Sequence, residues 1–129
     1  TEHPVEQEPG TRAVSEDTAR QTRDILESVV TAGGAKDIKV PGYRVGGKTG
    51  TAEAIAESGR GLDGYTASFV GMAPMDDPQY VVMVNVQRPA GNIYGISTAP
   101  VFNNIMARVL STFGVAPSRT ASVSLAQKF

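Results

Sequence analysis

The chain has 129 residues, 40% of them hydrophobic, which supports one modest core rather than a multidomain protein. Its net charge of −1 gives no indication of nucleic acid or an anionic membrane surface as a partner. Cysteine is absent and the single histidine, His3, lies near the chain start. These counts exclude disulfides and a thiol nucleophile, and they argue against a metal site or a histidine-dependent triad.

Residues 1–14 are predicted to form an extended arm, because prolines and a glycine interrupt a polar stretch. A helix is predicted to begin at Ser15, whose hydroxyl can cap a first turn that carries two acidic residues. Apolar residues then recur at helical spacing until Gly33–Gly34 stop the helix. The positions expected on its buried face are Ala19, Ile25, Leu26, Val29 and Val30.

Extended segments occupy the middle of the chain. Residues 38–45 are strand-like with a break at Pro41–Gly42, and the extended chain continues through residues 48–56. Residues 65–73 and 79–87 are rich in β-formers and flank the turn-forming PMDDP, so they are predicted to form an antiparallel hairpin. The apolar side chains of this hairpin are expected in the core, as are Met72, Met75 and Met83.

A final helix is predicted to begin after a cap at Ser97 or Thr98 and to end at Gly114. Its expected apolar stripe consists of Val101, Phe102, Ile105, Met106, Val109, Leu110 and Phe113. Residues 115–129 are expected to form a loose tail. The order helix, three strands, helix predicts an α+β fold in which two helices cover an antiparallel sheet within one domain, residues 1–129.

Residues 42–49, GYRVGGKT, match the pattern of a phosphate-binding loop. Such a loop must follow a buried parallel strand and open directly into a helix, so that backbone N–H groups face the anion. Gly50 occupies the expected helix start, the predicted sheet is antiparallel, and the apolar strand VVMVNVQ offers Asn85 where an acid is needed for magnesium. A P-loop nucleotide binder is therefore a remote alternative.

Lys48, Thr49, Gly50 and Thr51 fit better as a strand that borders a substrate cleft, where a peptide-like ligand adds its backbone to the edge. Lys48 supplies a charge for an anionic group or for proton transfer. Thr49 and Thr51, two apart, can bind a carboxylate from one face, and the Thr51 N–H is a candidate oxyanion donor. Gly50 leaves room for the ligand. Taken alone, the tetrad describes an ordinary exposed strand end equally well.

Longer stretches carry a family resemblance, and together they span residues 15–110. They are SEDTARQTRDILESVV, VPGYRVGGKTGTAEA, YTASFVGMAPMDDPQYVVMVNVQRP and YGISTAPVFNNIMARVL. These stretches resemble the C-terminal part of the transpeptidase domain of class B penicillin-binding proteins, with a fold like that of the serine β-lactamases. The APVFNNIM segment most resembles the septal, cell-division member. The family combines a Lys-Thr-Gly strand with Ser-x-x-Lys and Ser-x-Asn-type motifs.

The resemblance implies a serine acyl transfer that cross-links peptidoglycan stem peptides, with β-lactams as trapping ligands and without a cofactor or metal. It implies a location on the extracytoplasmic face of the bacterial cell membrane, an anchoring N-terminal helix outside this chain, and cell-division membrane proteins as further partners. Lys48 and Thr51 become candidate catalytic residues. The candidate substrate-binding residues are Thr49, Gly50, Thr51 and the aromatic Tyr94.

Neither Ser-x-x-Lys nor Ser-x-Asn occurs in the 129 residues. With its start at Thr1, the chain is therefore expected to be the trailing piece of a longer protein, without the nucleophilic serine and inactive alone. Its very apolar last strand is expected to pair with the missing N-terminal portion. Two other classes stay open: a serine β-lactamase, which would turn over a penicilloyl adduct in seconds, and a penicillin-sensing receptor domain, which would bind without catalysis.

Overall fold

The computed structural model describes residues 10–91 and 94–122 and shows two helices and a three-stranded antiparallel sheet. The strand order is β1-β2-β3, and a 3-10 turn precedes the second helix. The predicted α+β fold is confirmed. The elements are α1 (Glu16–Thr31), β1 (Gly46–Ile55), β2 (Leu62–Ala73), β3 (Tyr80–Gln87), the 3-10 turn (Gly95–Thr98) and α2 (Ala99–Thr112).

Helix α1 begins as its sequence predicts but buries a different face. The Ser15 hydroxyl accepts the N–H of Thr18 at 3.1 Å and caps the first turn. The buried residues are Glu27, Ser28 and Val30, whereas Ile25 is 56% exposed. The expectation that Ile25 faces the core is wrong, because α1 turns a carboxylate toward a buried arginine and leaves Ile25 on the solvent side.

The segment before β1 forms a turn rather than a strand. Val40 and Tyr43 make an isolated bridge around Pro41–Gly42, and Gly42 has a positive φ of 84°. The regular strand begins only at Gly46 and pairs with β2 in a register that places Lys48 opposite Val70. The proposed strand over residues 38–45 is therefore limited to one bridge, and the extended conformation predicted from residue 48 onward is confirmed.

One face of the sheet is buried under both helices, and close ring packing centres it. Phe69 on β2 and Phe102 on α2 are fully buried and meet edge to face, with ring centroids 4.7 Å apart. A Cβ on Gly47 would lie 2.5 Å from the Phe69 ring, and one on Gly71 would lie 2.6 Å from the Phe102 ring. Glycine at position 71 is therefore required for the Phe102 ring of α2 to reach the sheet, and glycine at position 47 leaves room for the Phe69 ring that it meets.

The opposite face of the sheet is largely open. Val70, Val81 and Met83 are 38%, 65% and 60% exposed, while Met72 is half-buried and Met75 is buried. Successive residues of a strand point to opposite faces, and both helices contribute to the core on the Phe69 side. The expectation that the hairpin's apolar residues are all buried is therefore wrong for Val70, Val81 and Met83. It is also wrong for Tyr65 and Val86, which are 37% and 36% exposed.

Helix α2 packs through a narrower stripe than its sequence predicts. Phe102, Met106 and Leu110 are fully buried at a spacing of four residues. Three residues of the predicted stripe remain substantially exposed, namely Val101, Ile105 and Phe113. Phe113 instead stacks on Tyr80, with ring centroids 5.4 Å apart. Thr98 occupies the N-cap position without a side-chain capping bond, so the predicted capping role of Thr98 is wrong.

The chain after α2 is hydrogen-bonded to the body, in contrast to the expected loose tail. The Ser118 N–H donates to Gly42 O at 3.0 Å, and the Tyr43 hydroxyl donates to Val115 O at 2.7 Å. Asp76 accepts the Arg119 N–H at 3.1 Å. The remainder of the predicted tail, residues 123–129, lies outside the described residues, as do residues 1–9 of the predicted arm; residues 10–14 are exposed and irregular.

A largely buried ion pair joins α1 to the segment just before β1. Arg44 donates two hydrogen bonds to Glu27, at 2.9 and 2.6 Å, and the side chains are only 12% and 1% exposed. The hydrogen bond to Glu27 is the main reason that the pKa of Arg44 is raised above its ordinary value. Arg44 also donates to the Thr120 hydroxyl at 2.6 Å, so the pair connects the helix, the segment before β1 and the C-terminal segment.

In residues 10–91 and 94–122, neither helix combines the length and apolar character that a membrane crossing requires.

Removing one partner of the buried pair should destabilise the chain strongly. We expect Arg44→Met or Glu27→Gln to lower the free energy of unfolding by about 3–5 kcal/mol, because the remaining group loses its partner in a buried site. The double variant Glu27→Leu/Arg44→Met should be more stable than Arg44→Met alone. Urea unfolding measures this, with Arg20→Met as the control, since Arg20 is 59% exposed and its partners Asp17 and Asp24 are 64% and 31% exposed. That control should lose at most about 1 kcal/mol.

The attachment of the C-terminal segment should weaken in acid. The Arg119 N–H, with a smaller contribution from the Ser118 hydroxyl, holds the pKa of Asp76 below its ordinary value of 3.8. The ionised Asp76 carboxylate therefore stabilises the fold fully above pH 3.8. This stabilisation is lost as the pH falls through the lower pKa that Asp76 has in the folded state. The NMR shift of the Arg119 amide should titrate with a midpoint below 3.8. Asp76→Asn should abolish this transition, and its persistence in that variant would contradict the assignment.

Candidate functional site

Lys48, Thr49 and Thr51 of the tetrad meet Tyr94 around one cavity, whereas Gly50 is not among its lining residues. The cavity measures about 390 Å³ and opens beside β1, which pairs only with β2 in the described sheet and is therefore an edge strand. The end of α1 and the loop after it form the opposite wall. The lining residues are Lys48, Thr49, Thr51, Tyr94, Gly95, Val29, Gly33, Gly34 and Ala35.

Lys48 brings a positive charge to the mouth of this cavity. Its side chain is exposed, and its ammonium donates to the backbone oxygen of Thr49 at 3.1 Å and to the Thr49 hydroxyl at 3.3 Å. Both partners are uncharged, so no carboxylate of the described chain neutralises Lys48 through a salt bridge. An anionic ligand group at this position would meet an ammonium and a hydroxyl together.

Thr49 and Thr51 share a face of β1, as their spacing predicts. Thr49 pairs with Phe69 and Thr51 with Ala67, so both threonines lie on the helix-covered side of the sheet. Thr49 is half-buried and Thr51 is exposed. The Thr51 hydroxyl accepts the N–H of Gly95 at 3.3 Å, which ties the edge strand to the 3-10 turn.

Gly50 is in close contact with the 3-10 turn of the same chain. A Cβ on Gly95 would lie 2.8 Å from Gly50 O, 2.9 Å from Gly50 N and 2.3 Å from Ser68 O, so the 3-10 turn packs directly on the strand backbone. A Cβ on Gly50 would come close only to the Ser68 hydroxyl, at 2.6 Å. The clearance of Gly50 for a ligand stays a prediction, and Gly95 is the glycine for which the structure shows a backbone constraint.

Tyr94 is 64% exposed and borders the cavity next to Gly95. Its proposed contact with substrate stays a prediction. Sequence reasoning missed Gly95, Thr98 and the end of α1 as parts of this site. The sequence signal for this turn was a glycine three residues before a threonine, Gly95-x-x-Thr98, immediately before Ala-Pro. In the structure, the buried Thr98 hydroxyl donates to Gly95 O at 2.6 Å and closes that turn.

The phosphate-loop alternative is wrong. Residues 46–55 form a strand that includes Thr49 and Gly50, and no helix follows it in the described chain before the 3-10 turn. The backbone therefore does not present the ring of N–H groups at a helix start that a phosphate needs. Among residues 10–91 and 94–122, no group of three His, Asp or Glu side chains is placed to hold a metal ion.

Comparison with known proteins gives one consistent family. A family model described as "Penicillin binding protein transpeptidase domain" matches residues 3–107. The chain is 44% identical to stage V sporulation protein D of Bacillus subtilis over 84% of its own length and 17% of that protein. It is 38% identical to the peptidoglycan D,D-transpeptidase FtsI of Escherichia coli, over 84% of the chain and 19% of that protein. It thus spans less than a fifth of these relatives' length.

A solved structure agrees with these matches. The transpeptidase domain of Burkholderia pseudomallei penicillin-binding protein 3 superposes with a TM-score of 0.74 at 43% identity, covering 93% of this chain and 37% of that one. The resemblance predicted from the sequence is confirmed, and the site described above lies within the matched residues.

The two glycines at the site should differ in their tolerance of a methyl group. We expect Gly95→Ala to lower the free energy of unfolding by about 1–3 kcal/mol, because its Cβ would collide with backbone atoms of two strands. Gly50→Ala should cost less than about 1 kcal/mol, because the Ser68 hydroxyl can rotate away. Gly10→Ala, with open space around it, is the control. Equal losses in urea unfolding for Gly50→Ala and Gly95→Ala would refute the packing described.

Proposed function

We propose, since this chain belongs to the penicillin-binding protein transpeptidase family, that it forms one wall of a serine-type peptidoglycan D,D-transpeptidase. The wall consists of Lys48, Thr49, Gly50 and Thr51 on β1. The nucleophilic serine would come from a Ser-x-x-Lys portion of the same protein that these 129 residues do not include. The names of relatives such as peptidoglycan D,D-transpeptidase FtsI support this reaction class over a serine β-lactamase or a penicillin-sensing receptor.

The observation that carries the proposal is the convergence of a cation, two hydroxyls and a free strand edge on one cavity. A peptide that ends in a carboxylate needs these groups: an edge for its backbone, and hydroxyl donors and a cation for its charge. Thr49 and Thr51 are assigned to the terminal carboxylate, and Lys48 to the charge and to proton transfer at a neighbouring hydroxyl. Tyr94 at the rim would contact the remainder of the stem peptide.

The proposed reaction has two acyl-transfer steps. The serine oxygen attacks the carbonyl carbon of the penultimate D-Ala, and the resulting oxyanion is stabilised by backbone donors, among which we assign the Thr51 N–H. Collapse breaks the peptide bond, and the departing D-Ala amine takes up the proton that the serine hydroxyl gives up on attack. The amine of a second stem peptide then attacks the acyl-serine ester, loses a proton and restores the serine hydroxyl. A β-lactam would enter the first step and remain on the serine.

The open face of the sheet supports an N-terminal portion of the protein as the partner. Val81 and Met83 are at least 60% exposed there, and β3 is the other edge strand of the described sheet. Exposed apolar residues beside an unpaired edge are typical of a surface that another part of the protein covers. We propose that the portion bearing Ser-x-x-Lys pairs with β3 and covers this face, which would also bring the serine toward Lys48.

The proposed reaction also sets a location. Peptidoglycan lies outside the cytoplasmic membrane, so the assembled enzyme would work on the extracytoplasmic face, held by an anchor in a portion that this chain does not include. We also propose a role in septal wall synthesis, with division membrane proteins as partners, because the APVFNNIM segment resembles the septal member of the family. Sensitivity to β-lactam antibiotics would follow from the acyl-enzyme step.

Covalent labelling tests the proposal. A chimera is made in which this chain replaces the matched segment of stage V sporulation protein D, and it is incubated with a fluorescent penicillin. We expect a labelled band for the chimera and none for the 129-residue chain alone. Lys48→Ala should slow labelling by about 10²-fold or more, because it removes the charge that assists proton transfer.

Lys39→Ala is the matched control, because Lys39 is exposed and lies outside the cavity, and it should label at the parental rate. Cooperative thermal unfolding establishes that each chimera is folded. A folded chimera that stays unlabelled would contradict the proposed function, and labelling of the isolated chain would contradict the assignment of the serine to another portion. Loss of the label within seconds would favour a β-lactamase.

A further inference from the structure

A chain of hydrogen bonds runs from the start of α2 to the proposed carboxylate site. The Thr98 hydroxyl donates to Gly95 O at 2.6 Å, and the Gly95 N–H donates to the Thr51 hydroxyl at 3.3 Å. Thr98 is only 1% exposed, whereas Thr51, at the other end of this series of hydrogen bonds, is exposed to solvent. The buried end is therefore shielded from water and the exposed end faces the cavity.

The Thr98 side chain serves this chain of bonds rather than the helix. A threonine at the N-cap usually accepts a backbone N–H from the first turn of its helix. Thr98 instead has helical backbone angles, φ −81° and ψ −7°, and makes no side-chain capping bond. Its hydroxyl proton is committed to Gly95 O, which closes the 3-10 turn and orients the Gly95 peptide.

Gly95 has little freedom to move away from Thr51. Its Cα sits where a Cβ would collide with backbone atoms of Gly50 and Ser68. With the carbonyl held by Thr98 and the Cα held against two strands, the direction of the Gly95 N–H is determined by packing. This N–H points at the hydroxyl oxygen of Thr51. Without that contact, the Thr51 hydroxyl could rotate freely and form hydrogen bonds in several directions.

The polarity of the Thr51 hydroxyl follows from this contact. A hydroxyl has one O–H donor and two acceptor lone pairs. When Thr51 accepts from Gly95, its own proton must point away from that N–H. Thr51 lines the cavity, so a ligand there can accept this proton. A hydroxyl with an outward proton is a donor, and a donor is what a ligand carboxylate requires.

We propose that Gly95 and Thr98 are positioning residues that hold the Thr51 hydroxyl as a hydrogen-bond donor for a ligand carboxylate. The inference rests on the proposed function and adds two residues outside the Lys-Thr-Gly-Thr strand to the recognition of the substrate's charged end. Thr98 lies outside the lining of the cavity, and Gly95, which lines it, has no side chain to bind the carboxylate in this arrangement. They act through Thr51 alone, so their effect depends on whether the ligand carries a carboxylate.

The test compares a penicillin with its methyl ester in the chimera described above. The measured quantity is the ratio of the two acylation rate constants, carboxylate over ester. We expect Thr51→Val to lower this ratio by about tenfold or more, because a hydrogen bond to a charged group is lost. Thr98→Val should lower it by about threefold to tenfold. Thr98→Ser, which keeps the hydroxyl, should stay within about twofold of the parent.

The double variant Thr51→Val/Thr98→Val should be no worse than Thr51→Val, because both changes remove the same donor. Thr22→Val is the control, since its hydroxyl bonds within α1, and it should leave the ratio unchanged. If Thr98→Val does not fold, Thr98→Ala, which adds no bulk, replaces it. An equal slowing with both ligands, an unchanged ratio, or multiplied losses in the double variant would overturn the proposal. A folded parent that neither ligand acylates would instead contradict the proposed function.

Discussion

The contact between Phe69 and Phe102 is the packing constraint on which the site depends. Their rings meet at 4.7 Å only because Gly47 and Gly71 present no Cβ to them. This lets α2 approach the sheet closely, and the 3-10 turn that precedes α2 then contacts β1 and β2. The 3-10 turn is consequently pressed onto the strand backbone, where Gly95 contacts it. The geometry of the cavity is thus a result of core packing some residues away.

The sheet is covered by helices on one face only. The covered face holds the chain's own core, whereas the open face is a surface for another part of the protein. The helix-covered face holds the hydrophobic core and orients the two threonines of the tetrad. The open face shows Val81 and Met83, and both outer strands have an edge without a partner in the described sheet. In the proposed function, the edge of β1 binds the peptide ligand. The edge of β3 pairs with a strand from another portion of the same protein.

The sequence predicted the positions of helices and strands more accurately than it predicted which side chains are buried. Strand and helix positions follow from residue types and spacing, and these local signals located β1, β2, β3 and both helices. Ile25 and Met83 were expected inside because they are apolar, yet they are exposed, while Glu27 is fully buried. Hydrophobicity does not reveal which side of an element another element covers, and a carboxylate can be buried when an arginine, here Arg44, meets it.

Residue types and spacing by themselves determined the α+β class, the helix start at Ser15 and the extended tetrad from Lys48 to Thr51, because each is encoded in a continuous stretch of chain. The family followed from the resemblance of longer stretches to known proteins. Only the tertiary structure decided that Gly95 rests on Gly50 and that the Thr98 hydroxyl turns away from its helix. Those contacts join residues more than forty positions apart or depend on a side-chain rotation. Local pattern carries no information about either, because both are set by how α2 settles on the sheet.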